Sequence, residues 1–138
     1  GPTWLTPHAA EFSRLFPKIN LKNPIFAAKE AAKKSGAGIL LKGANTVISS
    51  PDGRVWQISN SSPFVARAGW GDVLAGYASG FGAISLASSD GFDHSGLVTA
   101  AFMHAEAGRK CEESSSANAI LRSLSALTRE IQEKNVSL

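Results

Sequence analysis

The stretch that most constrains this chain is Ala68-Gly69-Trp70-Gly71-Asp72, which runs straight into Val73-Leu74-Ala75-Gly76-Tyr77. Two glycines flank one residue, a carboxylate follows, and a helical pattern begins. Glycine reaches backbone angles that other residues avoid, so several N–H groups can converge on one point. A helix N-terminus adds N–H groups without intrahelical acceptors and a partial positive charge. Such a turn suits a phosphate or an oxyanion. A carboxylate beside an anion site repels the ligand, unless Asp72 faces the group that reacts with the phosphate and takes its proton. The plainer alternative is a tight turn with Asp72 as helix N-cap. Both readings fit the four residues taken alone.

The chain has 138 residues, enough for one domain with one core, and is 43% hydrophobic, enough to fold. No apolar run is long enough to cross a bilayer, so no membrane association is expected. The single cysteine, Cys111, cannot form an internal disulfide. It lies in a polar helix end without a histidine partner, reads as structural or incidental, and fits a reducing, cytoplasmic setting. Much of the positive charge sits in the first third, at Lys18, Lys22, Lys29, Lys33, Lys34 and Lys42. Nucleic-acid binding would need basic residues interleaved with aromatics on one face. Here Lys29, Lys33 and Lys34 lie among alanines at helical spacing, so a solvated helix face is expected instead, and no nucleic-acid partner. Modest basicity also suits an anionic small molecule.

Taken in order, Thr3-Trp4-Leu5-Thr6 is a short strand ended by Pro7. A short helix from His8 to Phe16 follows, with Phe12, Leu15 and Phe16 on one face; His8 and Glu11 then read as a helix start with an acidic first turn. Asn23 and Pro24 are the N-cap and first residue of a second helix, which Ser35-Gly36 ends. Gly38-Ile39-Leu40-Leu41-Lys42-Gly43 is a buried strand. Thr46–Ser49 and Arg54–Ile58 form a hairpin around Pro51-Asp52-Gly53. Ser59-Asn60-Ser61-Ser62-Pro63 is a polar loop.

From Asp72 onward the pattern is helical. Val73, Leu74, Tyr77, Phe81 and Ile84 make a core stripe, and Ala75, Ala78, Ser79 and Gly82 a small-residue face. Ser88-Ser89-Asp90-Gly91 breaks that helix and Asp93 caps the next, on which His94 and His104 read as structural. The last helix starts in Ser114-Ser115-Ser116 and carries Ile120, Leu121, Leu124, Leu127 and Ile131. The expected class is α/β, with the sheet in the N-terminal half and helices in the C-terminal half. Few strands are visible for a sheet with two covered faces. The expectation is therefore that residues 1–138 form a single domain that is the C-terminal part of a larger one, and that an open sheet edge favours a homo-oligomer.

Three ordered motifs carry a family resemblance. The segment from Leu5 to Leu15 is similar to a Leu-Thr-Pro-His-Pro-Gly-Glu motif. Leu40 to Ile48, with Pro51 to Trp56, is similar to a Lys-Gly-Ala-x-Thr hairpin. Ala68 to Gly76 is similar to a Gly-x-Gly-Asp-Val-Leu-x-Gly segment. Together they resemble the C-terminal half of the ADP/ATP-dependent NAD(P)H-hydrate dehydratases, in the ribokinase-like superfamily. That resemblance implies a three-layer α/β/α fold and a lyase that repairs hydrated NADH and NADPH, with ADP or ATP and Mg²⁺ as cofactors. It implies Asp72 as catalytic base and as part of the substrate site, with His8, Ala9, Ala10 and Glu11. Lys42, Gly43, Ala44, Asn45, Thr46, Gly69, Trp70 and Gly71 would hold the nucleotide. No carboxylate pair is an evident metal ligand. Two departures stand out: Ala9-Ala10 replaces Pro-Gly, and Trp70 stands where a smaller residue is common, which is expected to alter how tightly a phosphate fits. A ribokinase-like vitamin-precursor or sugar kinase, and an inactive nucleotide-binding half-domain, are the alternatives.

Overall fold

The structure, a computed structural model, describes residues 1–59, 69–87, 92–111 and 116–136. The elements follow as β1 (Trp4–Leu5), α1 (Ala9–Leu15), α2 (Pro24–Ser35), β2 (Gly38–Leu41), β3 (Thr46–Ser49), β4 (Val55–Ile58), α3 (Trp70–Ala87), α4 (Ser95–Lys110) and α5 (Ala117–Val136). This is the order expected from the sequence. The expected break at Ser88 to Gly91, most of the polar loop after Ser59 and the first two serines before α5 lie outside the described residues.

Local signals set the boundaries. Asn23 Oδ1 accepts the Phe26 N–H at 3.1 Å, Pro24 opens α2, and Gly36 closes it at φ 68° with its N–H on Ala32 O. In the β3–β4 turn, the Asp52 carboxylate accepts from Ser50 Oγ and from the Arg54 N–H. The sheet runs β1-β2-β3-β4. Only β1 and β2 are parallel, in register Trp4 with Gly38 and Leu5 with Ile39, joined by a crossover through α1 and α2. The two other pairings are antiparallel, with Leu41 opposite Val47 and Ser49 opposite Val55.

Alternation along the strands splits the core into layers. Ile39, Leu41 and Val47 pack with Phe12 of α1 and Ala27, Ala28, Ala31 and Ala32 of α2. Leu40 and Ile48 face the other way, onto Leu74 and Ala78 of α3 and Leu97, Ala100 and Ala101 of α4. A third cluster joins α3, α4 and α5 through Trp70, Met103, Ala107, Cys111, Ile120 and Leu124. The fold is therefore the expected α/β/α sandwich.

The helical stripes differ from expectation in detail. On α3, Ile84 is 70% exposed, whereas Ala78 and Gly82, assigned above to a separate small-residue face, are buried. For Gly82 the cause is Trp4. A Cβ on Gly82 would lie 3.2 Å from the Trp4 ring, so only small residues fit where α3 crosses the indole. On α5, Ile120 and Leu124 are buried but Leu121 and Ile131 are exposed, because α5 packs against α3 and α4 from one side.

Trp4 ties three elements together. Its Nε1 donates to His94 Nδ1 at 3.0 Å, and a Cβ on Gly96 would lie 3.1 Å from its ring. A Cβ on Gly38 would lie 2.6 Å from His94 Nδ1 and 2.7 Å from Trp4 Cδ1. Gly38→Ala should therefore cost about 1–3 kcal/mol by overpacking. A urea-unfolding midpoint equal to that of the parent chain would contradict this packing. The carboxylate of Asp93 accepts from Ser95 at the start of α4 and from Arg54 Nη2 at 3.0 Å. These bonds, the Ser95 hydroxyl's first, hold its pKa down at about 2. The N-cap of α4 is nevertheless His94, one residue later than expected, and the His94 side chain makes no capping bond.

Candidate active site

Parallel strands bring their C-terminal ends to one edge, where α/β proteins bind ligands. Here the Lys42 N–H donates to Pro7 O at 2.8 Å, and a single bridge pairs His8 with Lys42. Helix α1 begins at this edge with a capping box. His8 Nδ1 accepts the N–H groups of Ala10 and Glu11, both at 3.2 Å, and Glu11 Oε2 accepts the His8 N–H at 2.7 Å. The helix-start reading of His8 and Glu11 thus describes their geometry. With Nδ1 accepting, the ring proton of neutral His8 sits on Nε2, 3.4 Å from Glu11 Oε1.

Glu11 reaches further than a cap. Its Oε2 lies 3.6 Å from Lys42 Nζ. The His8 N–H, foremost, and the Lys42 charge hold its carboxyl below the ordinary glutamate range. The first-turn N–H groups of Ala10 and Glu11 are taken up by His8. The start of α3 is different. Val73 N–H makes the first helical bond, to Gly69 O at 3.2 Å. The N–H groups of Gly71 and Asp72 precede it and have no acceptor within the helix.

The two glycines play different parts. Gly69 has φ 81°, in the left-handed region. Gly71 is helical; a Cβ there would lie 3.2 Å from Lys42 Nζ. Gly71 is therefore a matter of space: it lets the ammonium of Lys42 approach the first turn of α3. A cation at a helix N-terminus is unfavourable by about 0.3–1 kcal/mol. Only the half-exposed carboxylate of Glu11 offsets it among the ion pairs of the described residues. An anion placed between Lys42 and the turn would relieve that repulsion.

Helix α3 starts at Trp70, two residues earlier than expected, so Asp72 is its third residue and exposed rather than the cap. The Trp70 side chain is fully buried against Met103, Ala107, Ile120 and Leu124. Its indole fills the core rather than the phosphate space, contrary to the expectation that it would alter the fit of a phosphate. Gly43, Ala44 and Asn45 are exposed in the loop leaving Lys42, and Thr46 opens β3 opposite Ile58. Ala9 and Ala10 are exposed in the first turn of α1. The geometry gathers His8, Glu11, Lys42 and Gly71. Among the described residues, no three His, Cys, Asp or Glu side chains are grouped to hold a metal ion.

Two features escaped the sequence. The Glu11–Lys42 pair could have been sought by placing the ends of the two strands side by side. His104, a lone histidine in an alanine-rich helix, gave no signal, yet its Nε2 lies 3.0 Å from Trp70 O.

Comparison with known proteins gives a consistent set. The Carb_kinase family, described as NAD(P)H-hydrate dehydratase, matches residues 1–132. The bifunctional NAD(P)H-hydrate repair enzyme Nnr of Synechocystis sp. is 49% identical over 109 residues, covering 78% of this chain and 20% of that protein. The enzyme of the same name from Gloeobacter violaceus is 57% identical over 76 residues, covering 55% and 15%. The ADP/ATP-dependent NAD(P)H-hydrate dehydratase from Bacillus subtilis, co-crystallised with ATP/Mg²⁺, superposes with a TM-score of 0.77 at 27% identity, covering 94% of this chain and 48% of that one. The chain thus spans about half of the solved structure and a fifth or less of these two relatives.

Proposed function

Because the chain belongs to the NAD(P)H-hydrate dehydratase family, we propose that it builds the phosphate-handling side of an ADP/ATP-dependent repair lyase for hydrated NADH and NADPH. On this reading residues 1–138 are one domain, the C-terminal part of a larger ribokinase-like domain. The observation that carries the proposal is the ammonium of Lys42 set against the glycine turn of α3, 3.2 Å from where a Cβ on Gly71 would lie.

When bound, the nucleotide supplies the phosphoryl group that turns the hydroxyl of the hydrated nicotinamide ring into a leaving group. The chain's own residues supply charge and position, which is most of what phosphoryl transfer requires. Lys42 and the backbone N–H groups of Gly69, Trp70 and Gly71 would neutralise the phosphate oxygens. Gly43, Ala44, Asn45 and Thr46 would line the nucleotide. Asp72, in the first turn of the same helix, would accept the proton of the attacking hydroxyl. His8, Ala9, Ala10 and Glu11 would line the hydrated dinucleotide. Mg²⁺ would be held by the phosphates rather than by a protein cage. A small-molecule kinase would use the same turn, and the family match weighs against it. A cytoplasmic homo-oligomer accords with the lone cysteine and with β1 at the end of the sheet. Among the described residues, no helix is long and apolar enough to cross a membrane.

Calorimetry with ADP and a hydrated-NADH assay, read as returning NADH absorbance with phosphate release, test the proposal on one sample. The 138-residue chain is expected to bind ADP weakly and to turn over little, since catalysis needs both ligands in near-attack geometry. Lys42→Met should weaken ADP binding by about tenfold or more, the worth of a charged hydrogen bond. Unchanged affinity in that variant would remove Lys42 from the site.

A further inference from the structure

We propose that His104 is a positioning residue for the anion turn: by holding the carbonyl of Trp70 it fixes the direction of the Gly71 N–H. The two groups belong to one peptide unit, which is planar and trans, so the C=O and the N–H point in opposite directions. Whatever grips the oxygen aims the hydrogen. His104 Nε2 lies 3.0 Å from that oxygen, across the packing of α4 on α3.

The surroundings make the grip specific. His104 is 3% exposed, and its ring stands edge-on to the Trp70 indole, with centroids 6.2 Å apart at 90°. A carbonyl only accepts, so Nε2 is the donor. Burial lowers the pKa of His104 to about 4, so at neutral pH the ring is neutral, with its proton on Nε2. Gly69 is left-handed and Gly71 has no side chain to pack, so beyond the helical bonds of α3 the aim of this turn depends on contacts from other elements. A donor on the carbonyl also polarises the peptide and strengthens its N–H as a donor. The sequence separation of 34 residues makes this a tertiary clamp on the first turn of α3.

The inference rests on reading Gly69 to Gly71 as an anion turn, and the test separates the two. In the ligand-free chain, ¹⁵N spectra should show the Nε2–H tautomer of His104 and a coupling across the hydrogen bond to the Trp70 carbonyl. The Nδ1–H tautomer would overturn the proposal without any variant. His104→Leu should shift the Gly71 amide resonance and speed its hydrogen exchange, while the α5 amides stay protected. It should also weaken the binding of ADP and of inorganic phosphate by about tenfold, whereas His104→Gln, which keeps a side-chain donor, should return both readouts to within about twofold of the parent. A Gly71 amide unmoved in His104→Leu, or equally moved in both variants, would overturn the clamp. Failure of the parent chain to bind either ligand would instead sink the anion reading, and the Gly71 amide would then decide the clamp alone.

Discussion

Asp72→Asn in the complete enzyme is expected to cut turnover of hydrated NADH by about 10²–10⁴-fold, the worth of a positioned general base. ADP affinity should hardly change. Asparagine keeps the shape of the side chain and one acceptor oxygen but cannot take a proton. Asp72 is exposed in the first turn of α3, next to the residue that makes room for Lys42. Removing its charge costs the helix only about 0.3–1 kcal/mol. The signature is a fall in kcat with KM and ADP affinity nearly constant. A variant that keeps more than a third of parental turnover would leave Asp72 a helix-start residue and nothing more.

Between pH 6.5 and pH 4 the folded chain should lose about 3 kcal/mol of stability through His104 alone, from a pKa lowered to about 4 at about 1.4 kcal/mol per unit. The cause is burial first, with the nearby charge of Lys42 acting in the same direction against the Trp70 carbonyl. In this window the unfolded chain binds the proton and the folded chain does not, so stability rises with pH. It is complete above pH 6.5, and the loss levels off below pH 4. His94, also lowered by burial, adds a smaller slope of the same sign. The depressed carboxyls of Glu11, Asp52 and Asp93 act further down, since their contributions are lost only as pH falls through their folded values. Urea unfolding of the parent and of His104→Gln at pH 7, 5.5 and 4.5 isolates the term. Parallel stability curves would mean that His104 is not buried neutral.

The order of elements was legible because local chemistry sets it. Asn23-Pro24, Ser35-Gly36 and Pro51-Asp52-Gly53 each act over one turn, and the structure uses each of them as read. Gly69 was legible for the same reason, since a positive φ is a local demand. What was hidden is tertiary. The burial of Gly82 depends on where the Trp4 indole lies, which periodicity along α3 cannot report. Gly71 was read as a conformational need, but what it gives is room, for a lysine from another element. Trp70 was judged by its neighbours in sequence, yet its side chain belongs to the core between α4 and α5. Glu11 and Lys42 meet only because β1 and β2 run parallel.

The seat of Trp4 has a consequence for how this sequence can change. Positions 4, 38, 82 and 96 are one epistatic unit, because the indole occupies the volume that three absent side chains leave open. Enlarging any of the glycines first presses on the tryptophan or on His94. Shrinking the tryptophan first leaves a void between the sheet and two helices. Both mutational orders pass through a weakened intermediate, even where the end points are equally stable. Substitution at these four sites should therefore be slow and correlated among chains that share the fold, and exposed sites such as Ile84 should drift independently of them.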